Sequence, residues 1–271
     1  MSRKEEQSEW LSLSRELRER HRWNTLISEK QLTAIPSLCC WIDIHAFTGL
    51  LANADWNLAT AQEQGLLELL GYVYGKAADT GFSLKNRERI LVLNDGVARA
   101  IDLDPPIAPV VLAEYLHNLL WHHRILVGSL RRSGRAIRTI LAGGERMQYG
   151  SEVSPLIYNP AQFQMNTAFA RAYIVDQSEE VEKNRVYIEQ NWISAINQEM
   201  NNCVAVQENG ACGKILILGD GHVVLPLLYD DKFPVEDKRY KNHKLIVFRL
   251  SHVERSSVLL AADDPFSLTH N

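Results

Sequence analysis

The apolar residues alternate between short continuous runs and longer stretches with helical spacing. Residues 36–44, PSLCCWIDI, form a short apolar run that is typical of a strand buried on both faces. Residues 53–81 carry apolar side chains at helical spacing, at Leu66, Leu67, Leu70 and Val73. Residues 87–102, RERILVLNDGVARAID, predict two strands around an Asn-Asp-Gly turn, because these residues tolerate positive φ.

The rest of the chain continues this mixed pattern. A long helix is predicted over residues 107–131. Within residues 136–150, strand character begins at residue 136 and ends at the glycine pair Gly143–Gly144. Residues 159–180 predict a loop leading into a further helix, and strands and turns dominate from residue 204 onward. This order favours an α+β fold in which helices pack on a mostly antiparallel sheet of the split-βαβ kind.

Three segments follow from the same pattern. Residues 1–35 are predicted to be an N-terminal helical segment, because 5–32 reads as an amphipathic helix with many i,i+4 charge partners. Residues 36–203 form the expected central domain, and residues 204–271 form a β-rich C-terminal extension.

Composition narrows the class of protein. The chain has 271 residues, 46% of them hydrophobic, and a net charge of −4, so no basic surface argues for nucleic acid or anionic lipid. No apolar run approaches the roughly 20 residues needed to span a bilayer, and the charged N-terminus is unlike a secretory signal. Four cysteines without a disulfide or metal spacing favour reduced thiols. We therefore expect a cytoplasmic protein without nucleic-acid or membrane partners.

Two aspartates stand out against this background. Asp43 lies near the end of the first predicted strand, and Asp95 lies in the turn of the predicted hairpin. A hairpin beside the first strand would bring the two carboxylates together, and such carboxylates repel unless a cation such as Mg²⁺ or Mn²⁺ lies between them. A pair of divalent ions can activate an attacking hydroxyl and stabilise a leaving phosphate. The alternative is that Asp43 merely caps a turn or faces solvent.

The motifs resemble those of the class III nucleotidyl cyclases. Their first strand ends in D-I-x-G-F-[ST], which residues 43–48, DIHAFT, match with Ala46 in place of glycine. Their hairpin carries K-x-x-G-D, which residues 91–95, LVLND, match only at Asp95. Their D-x₆-N motif is similar to Asn159 through Asn166, and the family arginine expected four residues later stands here at Arg171, five residues later. The resemblance covers roughly residues 36–200.

The resemblance implies a fold, an active site and a dimer. The fold would be a ferredoxin-like class III cyclase fold, and the active sites of a homodimer would lie at its interface. Asp43, Asp95 and the carbonyl of Ile44 would hold two Mn²⁺ or Mg²⁺ ions. The remaining roles would be phosphate binding by the amides of Phe47, Thr48 and Gly49, base reading by Asn159, ribose orientation by Asn166, and charge neutralisation by Arg171. The side chain of Phe47 would also form an apolar wall near the nucleoside.

The residues that read the base differ from those of purine cyclases. Leu91 replaces the family lysine and Asn159 replaces an aspartate. A site built to pair with one base rejects another that leaves its polar groups unpaired, so both changes argue against adenine. These departures look similar to the pyrimidine cyclases of Pycsar antiphage defence. The resemblance implies UTP or CTP as substrate, with UTP slightly favoured, and a separately encoded effector that responds to the cyclic product.

Two alternatives remain open at this stage. Besides a pyrimidine cyclase, the sequence also fits a purine cyclase with unusual base-reading residues, or an inactive protein of the cyclase fold that binds nucleotides or partners. A second Gly-Asp pair, Gly219–Asp220, matches the family hairpin more closely than Asn94–Asp95. It follows the helix after Asn166, however, whereas the family hairpin precedes that helix, so an ordinary turn is expected at Asp220.

Overall fold

A computed structural model provides the structure of the chain. It describes residues 33–77, 84, 87–131, 134–148, 165–236 and 244–251. The predicted helix over residues 5–32 and the predicted base-reading residue Asn159 lie outside the described residues.

Nine strands of the described residues form one sheet, with helices on both faces. The strands are β1 Thr33–Ile44, β2 Glu88–Leu93, β3 Gly96–Asp102, β4 Ile137–Gln148, β5 Arg185–Glu189, β6 Val204–Asn209, β7 Cys212–Gly219, β8 His222–Glu236 and β9 Lys244–Leu250. The helices are α1 Phe47–Asn53, α2 Leu58–Glu63, α3 Leu66–Ala77, α4 Pro109–Arg131, α5 Thr167–Asp176 and α6 Gln190–Glu199.

The first four strands build a ferredoxin-like core. They lie in the order β2-β3-β1-β4, and every neighbouring pair in this set is antiparallel. Helices α1 to α3 connect β1 to β2, and α4 connects β3 to β4. This is the split βαβ arrangement repeated twice. The predicted fold class is confirmed: an α+β fold with a mostly antiparallel sheet, packed helices and a β-rich C-terminal part.

The two faces of the sheet bury different helices. On β1, Leu38, Ile42 and their even-numbered neighbours pack into the larger core with α1 to α4 and α6. Odd-numbered residues point to the opposite face, where Trp41 packs with residues of α5. Asp43 has the same parity as Trp41 and therefore points toward the α5 face.

The remaining strands extend the same sheet. Strand β5 pairs in parallel with β4, and β9, β8, β7 and β6 follow in antiparallel order. The sheet therefore continues across residue 204, and the division of the chain at that position stays a prediction. The short β5 and α6 were not predicted from the apolar pattern.

The glycine pair does not end a strand. Strand β4 runs through Gly143 and Gly144 without interruption. Both positions are glycine because a helix packs directly on each of them. A Cβ atom on Gly143 would lie 2.3 Å from the Asn191 carbonyl oxygen, and one on Gly144 would lie 2.4 Å from Thr167 Oγ1. The prediction of a strand end at this pair was wrong, since these glycines permit close packing of α5 and α6 rather than a turn.

Candidate active site

A cavity of about 600 Å³ lies where β1 and the β2–β3 hairpin end beside α5. Asp43 and Asp95 both line it, and so do Ala46, Phe47 and Thr48 from the start of α1. Asp43 is paired with Gly96 of β3 in the sheet register, and the Ile44 amide donates to the Asp95 carbonyl at 3.1 Å. The structure therefore brings the two predicted metal-binding aspartates to one cavity.

The hairpin that carries Asp95 is held from two sides. Asn94 takes a left-handed conformation, with φ of 55°, as expected for its place in a two-residue turn. The hydroxyl of Tyr74 on α3 donates to the Asn94 carbonyl. A Cβ atom on Gly96 would lie 1.9 Å from the Trp41 ring, so the glycine is required by this close approach.

Asp43 is paired with an arginine that the sequence analysis did not single out. Arg138 lies directly opposite Asp43 in the β1–β4 register, and its Nη2 donates to Asp43 Oδ2 at 3.1 Å. The same guanidinium contacts Asp176, the last residue of α5, with 3.0 Å between Nε and Oδ1. Its Nη1 also donates to the Asp176 carbonyl at 2.9 Å. Arg138 thus bridges two carboxylates.

The cavity disfavours negative charge. Burial, reinforced by the nearby carboxylates of Asp176 and Asp95, raises the pKa of Asp43 from 3.8 to about 7, although Arg138 opposes the change. Burial also raises the pKa values of Asp95 and Asp176. The guanidinium of Arg138 therefore leaves the carboxylates incompletely neutralised, which is the condition in which an added cation is stabilised.

Aromatic side chains form one wall of the cavity. The Trp41 ring meets Phe169 and Tyr173 of α5 edge to face, with centroids 5.7 Å and 6.2 Å apart. Phe47 was predicted to supply an apolar wall, but its side chain is only 2% exposed and packs in the larger core. The wall therefore consists mainly of Trp41, Phe169 and Tyr173.

Helix α1 begins at the cavity with a left-handed residue. Ala46 has φ of 60° and ψ of 27°, a conformation that costs alanine roughly 1–2 kcal/mol and glycine almost nothing. The backbone thus keeps the shape that glycine would favour at this position. The Gly49 amide donates to the Ala46 carbonyl at 3.1 Å, which leaves Phe47 and Thr48 as the amides of the predicted set without a backbone acceptor among the described residues.

Asn166 and Arg171 do not reach this cavity within one chain. Asn166 is buried: its Oδ1 caps α5 by accepting from the Phe169 amide at 2.9 Å, and its Nδ2 donates to Ser37 Oγ at 3.3 Å. Ser37 lies six residues before Asp43 on β1, about 20 Å away at the rise of an extended strand. Arg171 forms an ion pair with buried Glu189 at 3.3 Å.

The competing Gly-Asp pair lies elsewhere. Asp220 and Gly221 form the two-residue turn between β7 and β8, both with positive φ, of 51° and 80°. These strands stand at the other end of the sheet from the β2–β3 hairpin. Asp95, not Asp220, therefore shares a cavity with Asp43.

Arg138 and Asp176 are the main residues that sequence reasoning missed. A signal for Arg138 was present, because it is a lone charge in the otherwise apolar strand segment AIRTILA. A strand buried on both faces carries a charge only where it has a partner, so the register with Asp43 was open to inference. Asp176 gave no such signal, because its burial against Arg138 depends on tertiary packing that the local sequence does not show.

The residues around the cavity suit a hard divalent cation. Two carboxylates with raised pKa values supply oxygen ligands, and Mg²⁺ in phosphate-transfer sites is commonly held by one or two carboxylates together with substrate phosphates. Among the described residues, no group of three or more His, Cys, Asp or Glu side chains is placed to hold a metal. Asp43 and Asp95 would therefore supply the side-chain ligands of such an ion, with water or substrate oxygens completing its coordination.

Comparison with known proteins gives only distant similarities. The sequence matches no protein-family model, and no curated protein is significantly similar to it. The structure is similar to that of the adenylyl cyclase CyaB from P. aeruginosa, with 15% identity, a TM-score of 0.43, and 83% of this chain and 97% of that chain covered. The guanylyl cyclase domain of RhoGC from the aquatic fungus Blastocladiella emersonii gives 10% identity, a TM-score of 0.40, and coverage of 81% and 96%.

A third similar structure is an adenylate/guanylate cyclase/hydrolase from Silicibacter pomeroyi, at 12% identity, a TM-score of 0.35, and coverage of 81% and 98%. Similarities at this level carry no conclusion about activity or substrate. In the part of the chain that the structure describes, no helix is long and apolar enough to cross a membrane.

Proposed function

We propose that the chain is a pyrimidine nucleotide cyclase that converts UTP or CTP to the 3′,5′-cyclic monophosphate and pyrophosphate. The observation that carries the proposal is the convergence of Asp43 and Asp95 on one cavity, at the end of β1 and in the adjoining hairpin of a ferredoxin-like core. The order of the motifs along the chain supports the same reaction class, because both aspartates belong to the motifs that resemble those of the class III cyclases.

The residues of this chain would bind and orient the nucleotide. Asp43, Asp95 and the Ile44 carbonyl would hold Mn²⁺ or Mg²⁺ ions, which when bound lower the pKa of the ribose 3′-hydroxyl and neutralise the departing pyrophosphate. The amides of Phe47 and Thr48 would face the phosphates, with Gly49 joining them only if its bond to Ala46 opens. The 3′-oxygen would attack the α-phosphorus in line, and the bond to the β-phosphate oxygen would break.

A complete site would need two copies of the chain. Asn166 and Arg171 of one protomer would serve the Asp43 cavity of its partner, because Asn166 contacts β1 about 20 Å from Asp43 of its own chain. Apolar side chains at the rim of the cavity are exposed, including Leu93 at 39% and Tyr173 at 41%, which suits a surface that a second copy covers. A homodimer with active sites at the interface is therefore part of the proposal.

The choice of base rests on the residues that differ from purine cyclases. Leu91 packs against the buried cluster that contains Trp41, and its side chain offers no polar group to a base. Asn159 offers both a donor and an acceptor, which suits either uracil or cytosine. By its resemblance to the Pycsar enzymes, the cyclic product would act as a second messenger in antiviral defence, read by a separately encoded effector.

A second candidate function is a protein of the cyclase fold that binds nucleotides without turnover. The observation in its favour is the ion pair between Arg138 and Asp43, in which a side chain already supplies positive charge to a proposed metal ligand. Retention of both aspartates favours the active enzyme, since a site without metal has no need of two facing carboxylates.

Incubation of the purified protein with Mn²⁺ and each of the four nucleoside triphosphates, followed by mass spectrometry of the products, tests the proposal. Cyclic UMP or cyclic CMP is expected, and Asp43→Ala and Asp95→Ala should each abolish it without unfolding the protein. Asp220→Ala is the matched control, because it removes an aspartate from the two-residue turn between β7 and β8, at the far end of the sheet. Cyclic AMP or GMP would refute the pyrimidine assignment, and no product from an intact dimer would favour the binding protein.

A further inference from the structure

We propose that Arg138 is an internal counter-cation of the Asp43–Asp95 site and that Asp176 is the residue that holds it, so that the two together set the affinity of the site for divalent cations. The inference rests on the proposed function, since it presumes that Asp43 binds a metal ion. It adds two positioning residues, neither of which belongs to the motifs that suggested that function.

The position of Arg138 is fixed by the fold. Its backbone is paired with that of Asp43 across neighbouring strands, and its side chain is only 12% exposed. Of its three nitrogens, Nε and Nη1 face the carboxylate and the carbonyl of Asp176, and Nη2 faces Asp43 Oδ2. One guanidinium therefore spans from the end of α5 to the end of β1.

Asp176 is suited to keep the arginine in place. Its side chain is 1% exposed, and Gln177 Nε2 donates to its second carboxylate oxygen at 3.2 Å. A buried carboxylate needs a cation, and the Arg138 guanidinium lies 3.0 Å from the Asp176 carboxylate. Asp176 therefore draws the guanidinium toward α5, while Asp43 makes only one of the arginine's contacts.

Because Arg138 is shared between Asp176 and Asp43, its position affects metal binding. A divalent ion at Asp43 competes with the Arg138 guanidinium for the same carboxylate and is repelled by its charge. An anchor at Asp176 lets Arg138 give up its contact with Asp43 without becoming an unpaired buried charge. Loss of Arg138 should therefore tighten metal binding. Loss of the Asp176 charge leaves Arg138 only the neutral Asp176 carbonyl on the α5 side, so the guanidinium should pair more strongly with Asp43 and weaken metal binding.

Two substitutions with opposite expected effects test this inference. Binding of Mn²⁺ alone is measured by electron paramagnetic resonance of the free ion, without nucleotide. Arg138→Gln should bind Mn²⁺ about tenfold more tightly than the unsubstituted protein, and Asp176→Asn about tenfold more weakly, the scale on which groups around a metal ligand act. Arg138→Lys keeps the positive charge that repels the ion, but its ammonium cannot bridge both carboxylates. The Mn²⁺ affinity of this variant should therefore fall between those of the unsubstituted protein and Arg138→Gln.

A second ion pair of the same sheet provides matched controls. Arg146 of β4 forms a two-point ion pair with Asp102 of β3, and both hydrogen bonds measure 2.6 Å. Arg146 lies about 26 Å from Arg138 along the strand. Arg146→Gln and Asp102→Asn make the same chemical changes away from the cavity and should leave Mn²⁺ affinity unchanged. Thermal unfolding adds a second readout: Arg138→Gln should unfold at a lower temperature without metal, and Mn²⁺ should raise its Tm more than that of the unsubstituted protein.

The outcomes separate this inference from the proposed function. If the unsubstituted protein binds Mn²⁺ but both substitutions weaken binding, or neither changes it, Arg138 and Asp176 have only a structural role and the inference is overturned. If the unsubstituted protein binds no Mn²⁺, the metal-dependent function itself fails, and the inference fails with it.

Discussion

Replacing Asp43 with asparagine should stabilise the metal-free protein at neutral and alkaline pH. The carboxylate is buried and faces Asp95 and Asp176, and these surroundings raise its pKa from 3.8 to about 7. Asparagine has nearly the same shape and carries no charge, and its carbonyl oxygen can still accept from Arg138 Nη2. The substitution therefore removes the cost of ionisation while it keeps the packing.

The size of the effect follows from the pKa. Because the pKa is raised in the folded state, the native protein binds more protons than the unfolded chain between about pH 4 and pH 7, and the Asp43 contribution to stability falls as pH rises through this window. At about 1.4 kcal/mol for each pH unit, the total approaches about 4 kcal/mol above pH 7. Asp43→Asn should therefore gain on the unsubstituted protein steadily from pH 5 to pH 7 and hold that gain at pH 8.

Urea unfolding in chelator-treated buffer at pH 5, 6, 7 and 8 measures this difference. Comparing the two proteins at each pH cancels the contributions of other titrating groups that the substitution leaves unchanged. Saturating Mn²⁺ should remove most of the difference, because the ion stabilises only the protein with the carboxylate. A difference that does not change with pH, or one that shrinks toward pH 8, would show that the surroundings of Asp43 do not penalise its charge.

Two further predictions concern the residues that shape the site. Asn166→Ala should lower the free energy of unfolding by about 1 kcal/mol or more, because it removes the cap of α5. Asn166→Asp keeps the capping oxygen and should retain most of the stability; urea unfolding measures both variants. Gly96→Ala should cost about 1–3 kcal/mol because its methyl group would overlap the Trp41 ring, while the control Gly71→Ala, in open space on α3, should stabilise by roughly 0.5–1 kcal/mol. Equal effects of the two alanines would contradict the close approach of Trp41.

Local patterns in the sequence predicted much of the ferredoxin-like core. The continuous apolar run around residues 36–44 forms β1, and the Asn-Asp-Gly step forms the turn of the β2–β3 hairpin. Helix α4 begins at Pro109, within two residues of the predicted start. These features depend on neighbouring residues only, which is why periodicity and turn chemistry predict them.

Features that depend on distant packing were missed. Gly143 and Gly144 look like a turn, but helices α5 and α6 approach β4 so closely that a side chain there would clash. The parallel pairing of β5 with β4 was likewise not visible, because β5 is short and its partner lies far away in sequence.

In the candidate site, too, local features were predicted and features that depend on distant packing were missed. The strand end that carries Asp43 and the turn that carries Asp95 follow from local patterns, and the register of β1 with β3 brings them together. The ion pairs of Arg138 join residues 95 and 38 positions apart in the chain, so only the folded sheet reveals them. The burial of Phe47 is also a tertiary effect, since its position in the motif does not fix which way its ring points.

Anomalous diffraction from crystals grown with Mn²⁺ tests the central claim most directly, namely that Asp43 and Asp95 share a divalent cation. Density for manganese between the two carboxylates, absent from crystals of Asp95→Asn, is the expected result. Manganese bound elsewhere, or a cavity in which Arg138 remains paired with Asp43 and no ion is present, would contradict it.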